Sequence, residues 1–127
     1  MIDRKFIGLR MPAFDVRVES GRLRFFAKAI GEVNPIYIDE TVAIEAGHKN
    51  LPVPPTFLFC LEMESPDPAA IRNKLGLDYR RLLHGEQSFT YYSMAYSGDV
   101  LRFEQTIDDI YDKKNGEVKK LLLQKPN

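Results

Sequence analysis

Between residues 29 and 40 the chain reads AIGEVNPIYIDE, which gathers Glu32, Asn34, Pro35, Tyr37 and Asp39 into one short span. A carboxylate and a phenol held close by a turn can orient a water or exchange a proton with it. Asn34 and Pro35 supply the turn chemistry: an amide side chain bonds nearby backbone, and proline fixes its own φ. Two histidines are the remaining candidate bases. His84 precedes Gly85 at the entry to an expected strand. His48 follows Gly47 at a helix end, where the partial negative charge favours the protonated imidazole and a capping role. Cys60 stands in the apolar run TFLFCLEM and reads as a small core residue rather than a nucleophile. One cysteine and two widely separated histidines give neither an intramolecular disulfide nor a metal-ligand spacing.

The elements that must position these groups follow from periodicity. FDVRVE, residues 14–19, alternates apolar and polar as a short strand does. Ser20 can cap a helix in which Leu23, Phe26, Ala27 and Ile30 form one apolar stripe, and Gly31 stops it. Asp39 is the expected N-cap of a short helix, ETVAIEA, ended by Gly47. NLPVPP must run extended because proline restricts itself and its predecessor. Thr56 to Glu64 then reads as a compact helix, apolar on most sides and therefore buried, with glutamates near its exit. Residues 65–83 read as irregular. EQSFTYYSMAYS and DVLRFEQTIDDIYD are rich in aromatic and β-branched residues and read as strands, the second with its period of two interrupted at Gln105. Asn115-Gly116 is a hairpin signal that folds EVKKLLLQ back antiparallel. One strand, a helical block and an antiparallel run of strands imply an α+β domain with its helices on one face of the sheet.

Composition excludes several classes. The 127 residues are 44% apolar and 28% charged, the profile of a single soluble domain. Eighteen basic residues balance eighteen acidic ones, so no nucleic-acid or anionic-membrane footprint is present. The beginning, MIDRKFIGLRMPAF, lacks the apolar core of a signal peptide, and no run approaches the roughly 20 apolar residues of a membrane span. The expected compartment is the cytoplasm.

Four stretches, FAKAIGEVNPIYIDE, AGHKNLPVPPTF, LLHGEQSFTYY and SGDVLRFEQTIDDIYDKKNG, together resemble the MaoC-like acyl dehydratases and (R)-specific enoyl hydratases, in particular their N-terminal-type, fatty-acid-synthase-like dehydratase domain. The resemblance extends over nearly the whole chain, 1–127, as one domain. It implies the hotdog fold, an antiparallel sheet wrapped around a central helix at about 56–64, with the opening stretch overhanging an acyl tunnel. It also implies an acyl-thioester substrate carried on CoA or acyl carrier protein, no cofactor and no metal. Pairing is implied too, as a homodimer or as a heterodimer with a second hotdog subunit, with two sheets joined and two helices back to back. By this likeness Glu32, Tyr37 and His84 are the candidate catalytic groups, and Asn34, Pro35, Thr56, Phe57 and Gly85 the candidate substrate-binding ones. The His-Gly pair at 84 and 85 recurs in the subfamily. The N–H groups at the start of the Thr56 helix can polarise a thioester carbonyl.

The resemblance departs at the two positions that carry the family's chemistry. Active relatives hold an aspartate and a histidine that activate one water for addition across a trans-2-enoyl thioester; here those positions are Glu32 and Tyr37. An imidazole with pKa roughly 6.5 is largely a free base at neutral pH, whereas a phenol near 10 is ionised about once in a thousand, a deficit of roughly 4 kcal/mol. The longer arm of Glu32 adds a misplacement that can cost about a hundredfold. The expectation is therefore a non-catalytic or partner-dependent subunit that shapes the acyl tunnel for a dyad-bearing hotdog. The alternatives are an active (R)-specific hydratase using Glu32, Tyr37 or His84, and a hotdog thioesterase using an acid on the central helix such as Glu62. The family pattern also calls for one or two strands after LLLQKPN, so either the protein is longer than this chain or a partner completes the sheet edge.

Overall fold

The computed structural model describes residues 2–82, 84, 87–111 and 117–122, position 79 and 117–122 by backbone alone. Alternation in FDVR makes β1, Phe14–Arg17, which lies antiparallel to β2, Val100–Phe103. Val16 faces Leu101 across the pair, and the rings of Phe14 and Phe103 stack at 5.3 Å. On the outer face Arg102 donates to Asp15 at 3.0 Å, an opposite-charge pair directly across the ladder.

The ladder continues toward the N-terminus. Gly8 and Met11 donate their N–H groups to the carbonyls of Ile107 and Gln105, and Ile107 donates to Leu9. Residues 8–11 thereby flank one edge of β3, Gln105–Tyr111, while β4, Glu117–Leu122, flanks the other, antiparallel and with a register shift between Ile107 and Asp109. That pairing agrees with a hairpin between the two strands, although its expected turn, Asn115-Gly116, lies outside the described residues. Glu104 separates β2 from β3 where a single long strand was expected.

Three helices pack near these strands. α1 covers Ser20–Ala29 and buries Leu23 and Ala27. Ser20 is its first helical residue rather than its cap: Glu19 occupies the cap position, with no side-chain cap bond, so the hydroxyl sits one residue too late to meet the free N–H groups. α2, Glu40–Glu45, begins as expected at Asp39, whose Oδ1 accepts from the N–H groups of Thr41 and Val42 at 3.0 and 3.3 Å. It ends at Gly47, whose φ of 99° closes the helix with the His48 N–H on the Ala43 carbonyl at 3.0 Å. α3, Phe57–Glu62, is the central helix and is shorter than the expected 56–64.

α3 buries Phe57, Leu61 and Glu62 against a core of Val16, Val18, Leu23, Leu51, Leu101 and Phe103. Its burial is one-sided, because Phe59 and Met63 remain 40% and 57% exposed. An apolar run under two turns long does not reveal which of its sides the sheet will cover. Two further expectations change. Residues 70–75 form a fourth helix, α4, in the segment read as irregular, closed by Gly76 at φ 67°. Residues 87–98 form no strand; a single bridge joins Tyr96 to Pro52, with Val53 donating to Ala95 and Ser97 to Leu51. Aromatic and β-branched content favours a strand, but a strand also needs a ladder partner, and among the described residues 87–93 have none.

Candidate functional site

The segment joining α1 to α2 is built from consecutive local caps. Gly31, at φ 72°, turns the chain out of α1, and the Glu32 N–H closes back on the Ala27 carbonyl at 2.9 Å. The Glu32 carboxylate then accepts from the Asn34 N–H at 3.0 Å, and the Asn34 side-chain oxygen accepts from the Ile36 N–H at 3.2 Å. Pro35–Tyr37 makes one 3-10 turn, and the Asp39 N–H bonds the Pro35 carbonyl at 2.9 Å. From α1, Arg24 clamps the turn by donating to the Ile38 carbonyl at 3.2 Å. Ile36 anchors the span by packing on the core.

This geometry assigns work to each polar residue in the opening stretch. Asn34 and Asp39 are backbone caps, and Pro35 presets the first position of the turn. Glu32 is half-buried with one carboxylate oxygen committed to a backbone amide. Tyr37 is half-buried, and among the described residues its hydroxyl has no hydrogen-bond partner. No hydrogen bond joins Glu32 to Tyr37 among the described residues.

His84 stands elsewhere. Its imidazole is exposed, with Nε2 at 3.2 Å from the Gln87 side-chain oxygen and its ring edge-on to Phe59 of α3 at 5.5 Å. Among the described residues no hydrogen bond or ring contact connects it to Glu32 or Tyr37, and its neighbour Gly85 lies outside the described residues. The expected imidazole cap at the end of α2 is replaced by a backbone one: the His48 N–H bonds the Ala43 carbonyl at 3.0 Å, while its ring Nδ1 lies 3.2 Å from the Tyr96 hydroxyl. Lys49 beside it bonds Asp99 at 2.7 Å and lies over the Tyr96 ring at 5.4 Å.

At the start of α3, Thr56 is exposed and makes no side-chain cap bond. The Phe57 N–H is already engaged by the Pro54 carbonyl at 2.9 Å, which reduces the donors left for a thioester oxygen. Phe57 is a core side chain, 3% exposed, packed on Phe26 at 4.8 Å and covered by the Arg22 guanidinium at 5.2 Å. Arg22 also pairs with Glu64, stitching α1 to the end of α3. Tyr91 donates its hydroxyl to the Pro55 carbonyl, and partial burial raises its phenol above the usual value of 10.0.

Sequence reasoning missed one buried polar pair. Glu62 is 6% exposed, and Gln105 at the start of β3 donates its amide to the Glu62 carboxylate at 3.1 Å. The signal for it was present: Gln105 interrupts an otherwise apolar period of two, and a polar side chain on the inner face of a strand needs a partner there. Among the described residues, no cluster of three potential metal ligands occurs and no helix is long and apolar enough to cross a membrane.

Residues 5–125 match the family described as FAS1-like, dehydratase domain region. Among similar sequences, a UPF0336 protein of Streptomyces avermitilis is 34% identical across 92% of this chain and 79% of its own length. One from Saccharopolyspora erythraea is 38% identical across 86% and 70%. Among solved structures, the C-terminally truncated HadBC (3R-hydroxyacyl-ACP dehydratase) complex of Mycobacterium tuberculosis superposes with a TM-score of 0.62 at 20% identity, covering 91% of each chain. The ChsH1-ChsH2 complex of the same organism gives 0.64 at 23%, over 84% of this chain and 69% of the other. R-hydratase PhaJ1 of Pseudomonas aeruginosa gives 0.63 at 17%, over 95% and 88%. At these identities the structural likeness is one of fold, and that fold is the hotdog.

Proposed function

Because this chain belongs to the FAS1-like dehydratase domain region family and is a MaoC-like hotdog domain, we propose that it is a partner-dependent subunit of an acyl-thioester hydratase/dehydratase. In this reading it shapes and extends the acyl tunnel, while a second hotdog chain carries the aspartate and histidine that activate water. The substrate is a trans-2-enoyl or (3R)-3-hydroxyacyl thioester of CoA or acyl carrier protein, the complex is a dimer of hotdog chains, and its place is the cytoplasm.

One observation carries the reading: Glu32 is spent on the Asn34 backbone at 3.0 Å, in the segment where active relatives place their water-activating pair. Tyr37 brings a phenol, and Glu32 is not bonded to it, so neither the basicity nor the coupling of the dyad is reproduced. Two solved neighbours, the HadBC and ChsH1-ChsH2 complexes, are heteromeric, which supports the same assignment.

A second reading has one observation in its favour. His84 presents an exposed imidazole beside Phe59, and an (R)-specific hydratase using it as base would work without the dyad. A thioesterase built on Glu62 fits less well, since that carboxylate is buried and already bonded to Gln105. The discriminating experiment is hydration of crotonyl-CoA by the purified chain, with and without a dyad-bearing hotdog homologue. The proposal expects turnover to rise only in the mixture, with the His84→Ala variant behaving as the wild type. Turnover by the chain alone that is lost in His84→Ala replaces it with the hydratase reading, and release of free thiol replaces it with the thioesterase.

A further inference from the structure

α1 carries one sign of charge in a chain whose charges balance: Ser20–Ala29 holds Arg22, Arg24 and Lys28 and no acid. Arg22 is paired with Glu64. Arg24 and Lys28 have no ion-pair partner among the described residues; Arg24 donates to the Ile38 carbonyl and keeps its charge. Phe25 is 75% exposed, on the side of the helix opposite the buried Leu23 and Ala27. Its neighbours four residues away are Gly21 and Ala29, too small to cover the ring, and those three residues away are Arg22 and Lys28. Arg22 turns from it onto Phe57 and Glu64. Two aliphatic side chains also stay exposed where the chain leaves α1, Ile30 at 52% and Val33 at 87%.

A single exposed apolar side chain is ordinary; here three accompany two unpaired cations beside the candidate site. A small ligand needs a concavity, and a ring standing out between a glycine and an alanine offers none. A bilayer takes the wide apolar face of a helix, and that of α1 is committed to the core through Leu23 and Ala27. A protein surface with an apolar hollow rimmed by carboxylates matches both the ring and the charges. The geometry points to the outer face of α1, Phe25 with Arg24 and Lys28, as the dock for an acidic carrier protein, so that the acyl thioester arrives on a carrier rather than on free CoA. Gly31 joins α1 directly to the Glu32–Tyr37 turn, and Arg24 fastens that turn, so a carrier held by α1 stands beside the candidate site. This inference rests on the reading of the substrate as an acyl thioester.

The test titrates the full chain by calorimetry with an acidic, substrate-free acyl carrier protein, and in separate arms with CoA and with phosphatidylglycerol vesicles. The wild type is expected to bind the carrier more tightly than either, with an affinity that falls as salt rises. Lys28→Glu and Phe25→Ser are each expected to weaken carrier binding by about tenfold or more. Both side chains are exposed, so the circular dichroism spectrum is expected to stay unchanged, and Lys28→Glu keeps the inference testable if the Phe25 variant fails to fold. A wild type that does not bind the carrier overturns the inference. So does carrier binding that both variants leave intact, or tighter binding of CoA or of the vesicles. Docking is read without turnover and without a second subunit, so its failure leaves the subunit assignment standing. A chain that docks the carrier through α1 yet hydrates crotonyl-CoA unaided keeps the dock and loses that assignment.

Discussion

Replacing Gln105 by methionine tests how the central helix is fastened to the sheet. The substitution keeps length and removes the amide that donates to Glu62 at 3.1 Å. Glu62 is 6% exposed, so solvent does little to replace the lost donor. A hydrogen bond to a charged group contributes about 1.5 to 3 kcal/mol, and the half-buried position of Gln105 places the expected loss near the lower end, about 2 kcal/mol. For a domain of this size each kcal/mol moves the melting temperature by about 3 to 5 °C, giving a fall of about 6 to 10 °C. Glu62→Met alone is expected to destabilise as well, since it leaves the Gln105 amide facing the core. The double variant, with both polar ends replaced by apolar ones, is expected to recover much of the loss. Urea and thermal unfolding of the four proteins give the coupling energy directly. A coupling near zero, or a Gln105→Met variant as stable as the wild type, would refute the claim that this pair holds α3 to β3.

Three further outcomes follow from the same geometry. Asp39→Ala removes the acceptor shared by the Thr41 and Val42 N–H groups and is expected to cost about 1 kcal/mol, read as a matching fall in urea midpoint. The Tyr91 phenol is raised above 10.0 by partial burial, so its contribution to stability is fully present below the unfolded value and is lost as pH rises through the folded one. Denaturation midpoints should therefore fall in alkali above about pH 10, and Tyr91→Phe should flatten that decline. Glu32→Asp with Tyr37→His returns the family's pair to its positions; the imidazole restores a base worth about a thousandfold and the shorter arm relieves the misplacement, so hydration by the chain alone is expected to rise by about a thousandfold or more. An unchanged rate in that double variant shows that the loop cannot present the pair to a thioester.

Much of the fold was legible where one local rule dominates. Asp39, Gly31 and Gly47 mark ends that depend only on neighbouring backbone, and the structure uses each in that way. The β1 alternation survives because one face meets the core. Local rules failed where a partner decides. QSFTYYS has the composition of a strand, yet a ladder is a property of two segments, and among the described residues 87–93 have no ladder partner. Ser20 shows a smaller failure, a capping residue displaced by one position because Glu19 already leaves the helix. At the site, sequence brought Glu32, Asn34 and Tyr37 together, but only coordinates reveal that the carboxylate turns back onto its own loop. The Glu62–Gln105 bond joins residues far apart in sequence, so an interrupted pattern could announce Gln105 but not its partner.

The supporting role assigned to this chain is tested most directly by the rate at which it alone hydrates crotonyl-CoA, set against a dyad-bearing hotdog hydratase at neutral pH. A phenol in place of an imidazole predicts a rate lower by about a thousandfold, with activity appearing once a dyad-bearing subunit is added. A rate for the isolated chain within about tenfold of the dyad-bearing enzyme would contradict the account.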